Sequence, residues 1–338
     1  MIRYNRKSGV LRKEKIFTTE DTEVHRGNTG ETLNSYSAKM KSENMSESLP
    51  SPTHQKTVAI FSKPDRPELR EALPTLEKWL RQRNYAVVVD EESGAYYSAS
   101  TVAGRGELAA RAPDLALVLG GDGTLLSAAR AVAKVGTPIL GVNLGTLGFL
   151  TELALSDLYP ALEAIEQGKY IVENRSMLSC SLIRSGEVVA THSALNELVV
   201  SKSAIARLNH FELFVDSEFV SSYRADGLIV ATPTGSTAYS LGAGGPILKP
   251  DVDAFVITPV SPHGLTHRAV VVRDTVVIEI QVKTGQEEAY LSLDGQVGMP
   301  MRDDDLVRCV KAEHPARLLR FQKTFFEVLA TKLKWGER

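Results

Sequence analysis

The chain is short of most features that mark specialised proteins, and each shortage excludes a class. Only two cysteines, Cys180 and Cys309, occur in its 338 residues. Two thiols cannot build a disulfide framework or a four-ligand zinc site. Each sits in an apolar, strand-like context, MLSCSLI and LVRCVKA, so both are expected to be buried and reduced. No apolar run approaches the ~20 residues needed to span a bilayer, and the charged N-terminus lacks the apolar core of a signal peptide. No membrane and a reducing cytoplasm are therefore expected. Excess charge of one sign is also missing: 39 basic residues face 41 acidic ones, for a formal net charge of −2. That balance excludes the large basic footprint of a nucleic-acid-binding protein. HExxH and other metal-ligand spacings are absent, as are the nucleophile elbow G-x-S-x-G and the P-loop G-x-x-x-x-G-K-[ST].

What is present is the composition of a globular protein, 43% hydrophobic and 24% charged, at a length suited to two domains. Residues 1–56 stand apart. They are rich in Ser, Thr, Glu, Asn and Lys, have few large apolar residues, and cannot bury enough surface to offset their ordering entropy, so disorder is expected. Met40 and Met45 lie within this segment as alternative starts. From Thr57 the runs TVAIF, YAVVVDE, DLALVL and TPILGVN read as strands. Between them, helical spacing links Leu69, Leu73, Leu76 and Leu80, and a second helix follows Thr124. Continuous apolar strands alternating with helices predict a parallel sheet covered on both faces. A helix is expected over about 156–167, with Ser156 as N-cap and Gly168 as its stop. After Tyr170, short strand patterns separated by turns predict an antiparallel all-β region, and a helix closes the chain over about 323–335. The resulting layout is an α/β domain over 57–153, a β-rich domain over 154–315 and a C-terminal helical segment over 316–338.

The stretch LVLGGDGT carries the first candidate site. Gly120 and Gly121 open backbone shapes closed to other residues, Gly123 lets another group come close, and Thr124 leads into the helix. Consecutive N–H groups at a helix N-terminus form a concave anion site, suited to phosphate. Asp122 is a poor phosphate ligand, and two readings of it stand at this point. It could simply cap the helix, or it could accept the proton of an attacking hydroxyl in phosphoryl transfer.

Two further polar constellations stand out. Asn196 and Glu197 interrupt the strand-like run ALNELVVS. They read either as an exposed edge or as partners for a polyhydroxyl ligand such as a ribose, since buried polar groups need partners. The segment YRADGLIVATPTGSTAYSLGAGGPIL, 223–248, brackets a buried strand with loops dense in Gly, Ser, Thr and Asp and carries one aromatic, Tyr239. It suits a polar aromatic ligand that is both hydrogen-bonded and stacked upon. His263 and His267 read as structural.

GGDGT at 120–124, the Asn196–Glu197 pair and DGLIVATPTGSTAYSLGAGGPI at 226–247, in this order and spacing, closely resemble the NAD kinase family, which phosphorylates NAD to NADP. GVNLGTLGFL, NRSML, SPHGL and LATKLKW agree, so the resemblance covers about residues 57–338. GGDGT alone recurs in phosphofructokinases and diacylglycerol-type lipid kinases; TPTGSTAYS is the specific element. The resemblance implies a Rossmann-like α/β domain, a β-sandwich domain and a C-terminal helix returning to the first. It implies that Asp122 is the general base for the 2′-hydroxyl of the adenosine ribose, and that Gly123 lets NAD approach. Asn196 and Glu197 would bind a ribose. Asp226, Thr237, Ala238 and Tyr239 would bind the adenine or nicotinamide ends, with Ser240, Leu241 and Gly242 continuing that surface. Phe149 would lie against a base, and Arg207, Arg224 and Gln296 would contact the dinucleotide. Gly295 departs from relatives that carry a histidine there. ATP with a divalent cation, Mg²⁺ above all, is the expected donor, with polyphosphate as an alternative. A homodimer or homotetramer is expected, because subunits of the family commonly share the NAD site. The competing readings are a lipid kinase sharing GGDGT and a non-catalytic NADP sensor.

Overall fold

The first apolar run becomes a strand because its side chains are apolar on both faces. Thr57–Ser62 (β1) is buried throughout except at Thr57. In the computed structural model, the described residues are 4–5, 12–13, 55–99, 101–145, 148–202, 209–283, 289–321 and 324–335. The chain forms two compact units, Met1–Glu47 and Ser48–Arg338. In the first unit, Tyr4–Asn5 pairs antiparallel with Arg12–Lys13. The rest of the segment expected to be disordered lies outside the described residues, apart from Gln55 and Lys56.

In the second unit, β1 is followed by α1 (Leu69–Gln82), β2 (Ala86–Val89) and two short helices that the sequence did not announce, α2 (Glu91–Gly94) and α3 (Arg105–Ala110). Then come β3 (Leu115–Gly120), α4 (Asp122–Val132) and β4 (Pro138–Asn143). Pairing among these strands is parallel, as expected for strands buried on both faces. Alternation along β3 shows why. Leu115, Leu117 and Leu119 pack with Leu69, Leu73, Leu76 and Leu80 of α1, whereas Ala116 and Val118 pack with Leu125, Ala128, Ala129 and Val132 of α4.

The expected boundary at residue 154 is corrected. A 3₁₀ turn, Leu155–Asp157, precedes α5 (Leu158–Glu166), and Ser156 makes no cap. Helix α5 and the next strand, β6 (Ile171–Arg175), belong to the first sheet; Leu158, Leu162 and Ile165 join its core. The sandwich begins only at β7 (Leu178–Arg184). It continues through β8 (Glu187–Ala194), β9 (Glu197–Lys202), β10 (Asn209–Val215), β11 (Glu218–Ala225) and β12 (Gly227–Ala231). After the short helix α6 (Tyr239–Gly242) come β13 (Ala254–Val260), β14 (Val270–Arg273), β15 (Ile278–Lys283), β16 (Ala289–Leu293), β17 (Val297–Met301) and β18 (Leu306–Lys311). These form two six-stranded antiparallel sheets, ordered β8-β7-β18-β15-β10-β11 and β14-β13-β12-β9-β16-β17. One apolar core lies between them, built from side chains of both, such as Ile278, Ile280 and Val282 from one and Leu228, Val230, Phe255 and Leu291 from the other. Cys180 and Cys309 are buried free thiols there, directly opposite each other on β7 and β18. Burial pushes the Cys180 thiol up to about 12.

A second correction concerns the C-terminal segment. Residues Ala316–Arg320 are strand β19, not helix: they pair parallel with β4 and antiparallel with β6. The first sheet is thus ordered β2-β1-β3-β4-β19-β6, with Leu153–Ala154 as a short seventh strand beside β4. Helix α7 (Phe325–Leu333) follows, opened by a capping box in which Thr324 and Glu327 each accept the other's backbone N–H.

Candidate active site

The glycine turn joins β3 to α4 at the carboxyl edge of the sheet. Gly121 is the N-cap of α4 and no side chain caps the helix, so the capping reading of Asp122 does not hold. The Asp122 carboxylate turns instead to the segment after β4. Its Oδ2 accepts the Phe149 N–H at 2.8 Å. Its Oδ1 accepts the N–H of Leu150, the N–H of Thr151 and the Thr151 hydroxyl, each at 3.1 Å. Charge-assisted bonds of this kind hold a carboxylate in one orientation. Asn143, at the end of β4, supports the segment by donating to Thr151 Oγ1 at 2.9 Å. Gly148 leaves the carboxylate its place, because a Cβ on it would stand 2.0 Å from Asp122 Oδ1. Gly120 is equally constrained: a Cβ there would meet Thr124 Oγ1.

The sandwich reaches this turn through Arg130, a residue the sequence did not single out. From α4, Arg130 Nη1 donates to Asp294 Oδ2 at 2.7 Å and Nη2 donates to Gln296 Oε1 at 2.5 Å. Gln296 Nε2 in turn donates to the Gly123 carbonyl at 2.7 Å. Asp294 and Gly295 both have positive φ, 50° and 63°, and Gln296 N–H closes the turn on Leu293 O at 2.9 Å. Left-handed backbone at two successive positions is what an Asp-Gly pair tolerates. It explains the glycine at 295. The Asp294 side chain is fully buried and accepts the backbone N–H groups of Leu195, Asn196 and Glu197.

The Asn196–Glu197 pair is therefore no exposed edge. Asn196 is half-buried and Glu197 buried. The TPTGSTAY loop packs directly on them: Thr232 N–H donates to Asn196 O, and a Cβ on Gly235 would collide with the Asn196 carbonyl at 2.0 Å. Burial first, and then the Asp294 charge, push the Glu197 carboxyl up to about 7, against a weaker opposing contribution from the Tyr239 backbone N–H. Glu197 Oε2 is buried with no hydrogen-bond partner among the described residues.

The remaining sequence candidates fall into three groups. The exposed Tyr239 lies beside Glu197 through its backbone N–H, with Thr237 and Ala238 just before it on the loop and Leu241 and Gly242 after it on α6. Ser240 is fully buried and bonded to Thr258 at 2.8 Å, so its hydroxyl is committed inside the fold. Phe149 joins the Asp122 cluster through its N–H, and the Lys332 ammonium of α7 lies 5.8 Å from its ring centre. Arg224 and Asp226 lie elsewhere. Asp226 pairs with Lys202 at 2.6 Å and Arg224 Nε donates to His210 at 3.0 Å. Both precede β12, whereas Tyr239 follows it, and five strand residues separate the two ends by roughly 17 Å. Arg207 lies outside the described residues. Glu152, Arg175 and Arg320, all buried, form an ion cluster with the partly exposed Glu173, and Arg175 also donates to Thr234 of the TPTGSTAY loop at 3.3 Å. Among the described residues, no group of three or more His, Cys, Asp or Glu side chains could hold a metal ion.

This geometry has close counterparts. The family model of the ATP-NAD kinase N-terminal domain matches residues 58–170, and that of the ATP-NAD kinase C-terminal domain matches residues 195–321. The NAD kinase of Koribacter versatilis is 55% identical over 283 residues, 84% of this chain and 99% of that protein. The NAD kinase of Acidobacterium capsulatum is 48% identical over 83% of this chain and 99% of its own length. Among solved structures, yeast NADH kinase in complex with NADH shares the fold with a TM-score of 0.74, at 24% identity, over 86% of this chain and 94% of that one. An NAD kinase from Archaeoglobus fulgidus in complex with ATP matches with a TM-score of 0.65 and 27% identity, over 83% of this chain and all of that one. With both family models matched in order and half or more of the residues shared with a relative over most of its length, the chain belongs to the NAD kinase family.

Proposed function

We infer that this chain transfers the γ-phosphoryl group of ATP to the 2′-hydroxyl of the adenosine ribose of NAD, giving NADP and ADP. The observation that carries the reading is the Asp122 carboxylate, held by the 149–151 segment beside the first turn of α4 instead of capping it. The hydroxyl oxygen attacks the γ-phosphorus, the bond from that phosphorus to the bridging oxygen breaks, and ADP leaves with the electron pair. The hydroxyl proton goes to Asp122. Oδ2 is the better acceptor, because it takes one protein donor against three at Oδ1. The positive N-terminal end of α4, at Asp122 and Gly123, faces the incoming phosphate.

On the acceptor side, Asn196 and Glu197 take ribose hydroxyls, and the unpartnered Glu197 Oε2 supports that role. Thr237, Ala238 and Tyr239 meet a ring of the dinucleotide. A divalent ion arriving with ATP would spread charge on the transferred group. The placement of Arg224 and Asp226 before β12 and of Tyr239 after it supports a homodimer or homotetramer in which Arg224 and Asp226 serve the NAD site of a neighbouring copy. The cytoplasmic setting expected from the two thiols belongs to the same reading.

The test is incubation with NAD, ATP and Mg²⁺, with NADP read by an NADP-specific dehydrogenase. Formation of NADP is expected; none formed by folded protein would overturn the assignment. Light scattering should give a multiple of the 36.8 kDa chain mass, and a monomer at working concentration would remove the shared-site element.

A further inference from the structure

The glycine turn offers backbone amides, but the chain has no P-loop lysine to meet the charge of a triphosphate. The sheet supplies cations at the same place. In the order β2-β1-β3-β4, the chain leaves β1 toward one side and β3 toward the other. The carboxyl ends of β1 and β3 therefore flank the topological switch point, the crevice where open α/β sheets bind ligands. Gly120 to Asp122 lie at the end of β3. The end of β1 runs into Lys63, Pro64, Asp65 and Arg66.

This segment is held firmly against the glycine turn. Lys63 N–H donates to Leu119 O at 2.9 Å, and Lys63 Cβ lies 3.2 Å from where a Cβ on Gly120 would stand. The Tyr96 hydroxyl donates to Lys63 O at 2.6 Å and accepts Arg66 N–H at 2.8 Å, closing the loop. Asp65, with φ 57°, makes the bend. The Arg66 guanidinium reaches the far side of β3: Nη2 lies 3.8 Å from where a Cβ on Gly145, beyond β4, would stand. Neither charge is consumed by the fold. Lys63 is exposed with no ion pair among the described residues, and the Arg66–Glu68 contact is long, at 3.8 Å between partly exposed groups.

We propose that Lys63 and Arg66 bind the β- and γ-phosphate oxygens of the phosphoryl donor, Lys63 beside the turn and Arg66 across the end of β3. The proposal rests on the reading of Asp122 given above, and it adds the donor half of the site. Both cations touch the phosphate chain and not the nucleoside, so they serve ATP and polyphosphate alike. Arg66 has the planar fork suited to two phosphate oxygens, and Lys63 acts as a compact charge.

The experiment compares wild type with Lys63→Gln, Arg66→Gln and Lys63→Arg in two assays. Steady-state kinetics should give a KM for ATP raised about ten- to hundredfold in each Gln variant, the size of one or two charge-assisted bonds. KM for NAD and the unfolding temperature should stay near wild type, and Lys63→Arg should recover most of the loss. Calorimetric titration with MgATP, without NAD, should show the same weakening, and tripolyphosphate should compete with MgATP on wild type but poorly on the Gln variants. MgATP affinity within twofold of wild type in both Gln variants would overturn the proposal. So would a loss shared equally by NAD and ATP. A wild type that binds MgATP but forms no NADP would defeat the functional reading while leaving the binding comparison decisive for Lys63 and Arg66.

Discussion

Gly148→Ala isolates the positioning of Asp122. The added Cβ would stand 2.0 Å from Asp122 Oδ1 and 2.5 Å from Thr151 Oγ1. A carbon and an oxygen settle near about 3.5 Å, so the carboxylate must move by at least about 1 Å. Gly148 has no positive φ, so the backbone accepts alanine and the effect is steric alone. A displacement of ~1 Å in a reacting group costs about a hundredfold in rate. We expect kcat to fall by about that factor, with KM for NAD little changed and the unfolding temperature lowered by only a few degrees. Kinetics on Gly148→Ala, Asp122→Asn and the double variant separate the causes. If alanine acts through Asp122, the double variant should be no slower than Asp122→Asn, since groups acting as one unit are not additive. Gly106→Ala is the control. It lies in α3 with nothing within 4 Å of the new Cβ, so it should leave kinetics unchanged and stabilise by ~0.5–1 kcal/mol. Unchanged turnover in Gly148→Ala, or losses that multiply in the double variant, would show that the 148–151 segment does not position the base.

Two further outcomes follow from buried charges. The Glu197 carboxyl, pushed up to about 7 in the fold from an ordinary value of 4.5, costs nothing below about pH 4.5, and its penalty grows until about pH 7. Glu197→Gln should therefore gain stability over wild type as pH rises through that window, by up to ~3 kcal/mol above pH 7; denaturant midpoints that differ by the same amount at pH 5 and pH 8 would contradict this. Asp294→Ala leaves three backbone N–H groups and the Arg130 Nη1 without their acceptor. It should destabilise by ~3–5 kcal/mol in urea melts, and a loss below ~1 kcal/mol would mean that water replaces the carboxylate.

The parallel half of the fold was legible because continuous apolar strands and leucines at helical spacing have few other solutions. The sandwich was legible from alternation, as in IEIQVK, where Ile278, Ile280 and Val282 face the core. Strand β19 was hidden because Arg317 and Arg320 break its apolar run, although both are accommodated: Arg320 pairs with Glu152 and Glu173, and Arg317 donates to the Gly136 carbonyl. Once β19 enters the first sheet, β6 and α5 must belong there too, which moved the boundary away from 154. At the site, residue types announced GGDGT and the TPTGSTAY loop. What no pattern announced was the connection between distant segments: Asp122 to 149–151, Arg130 to Asp294, and Tyr96 to the Lys63–Arg66 loop. Such contacts are set by tertiary packing and leave little periodic trace in the sequence. A cation directly after a buried strand, as in TVAIFSK, was the one available hint of Lys63.

Turnover of Asp122→Asn, measured with NAD affinity on the same preparation, bears on the whole scheme. Loss of a general base should lower kcat by about 10²–10⁴-fold while NAD still binds, since Asn196, Glu197 and the 232–239 loop are held by Asp294 and Thr232 without help from Asp122. Turnover near that of wild type, with NAD bound equally well, would make Asp122 a brace for the 149–151 segment and not the base.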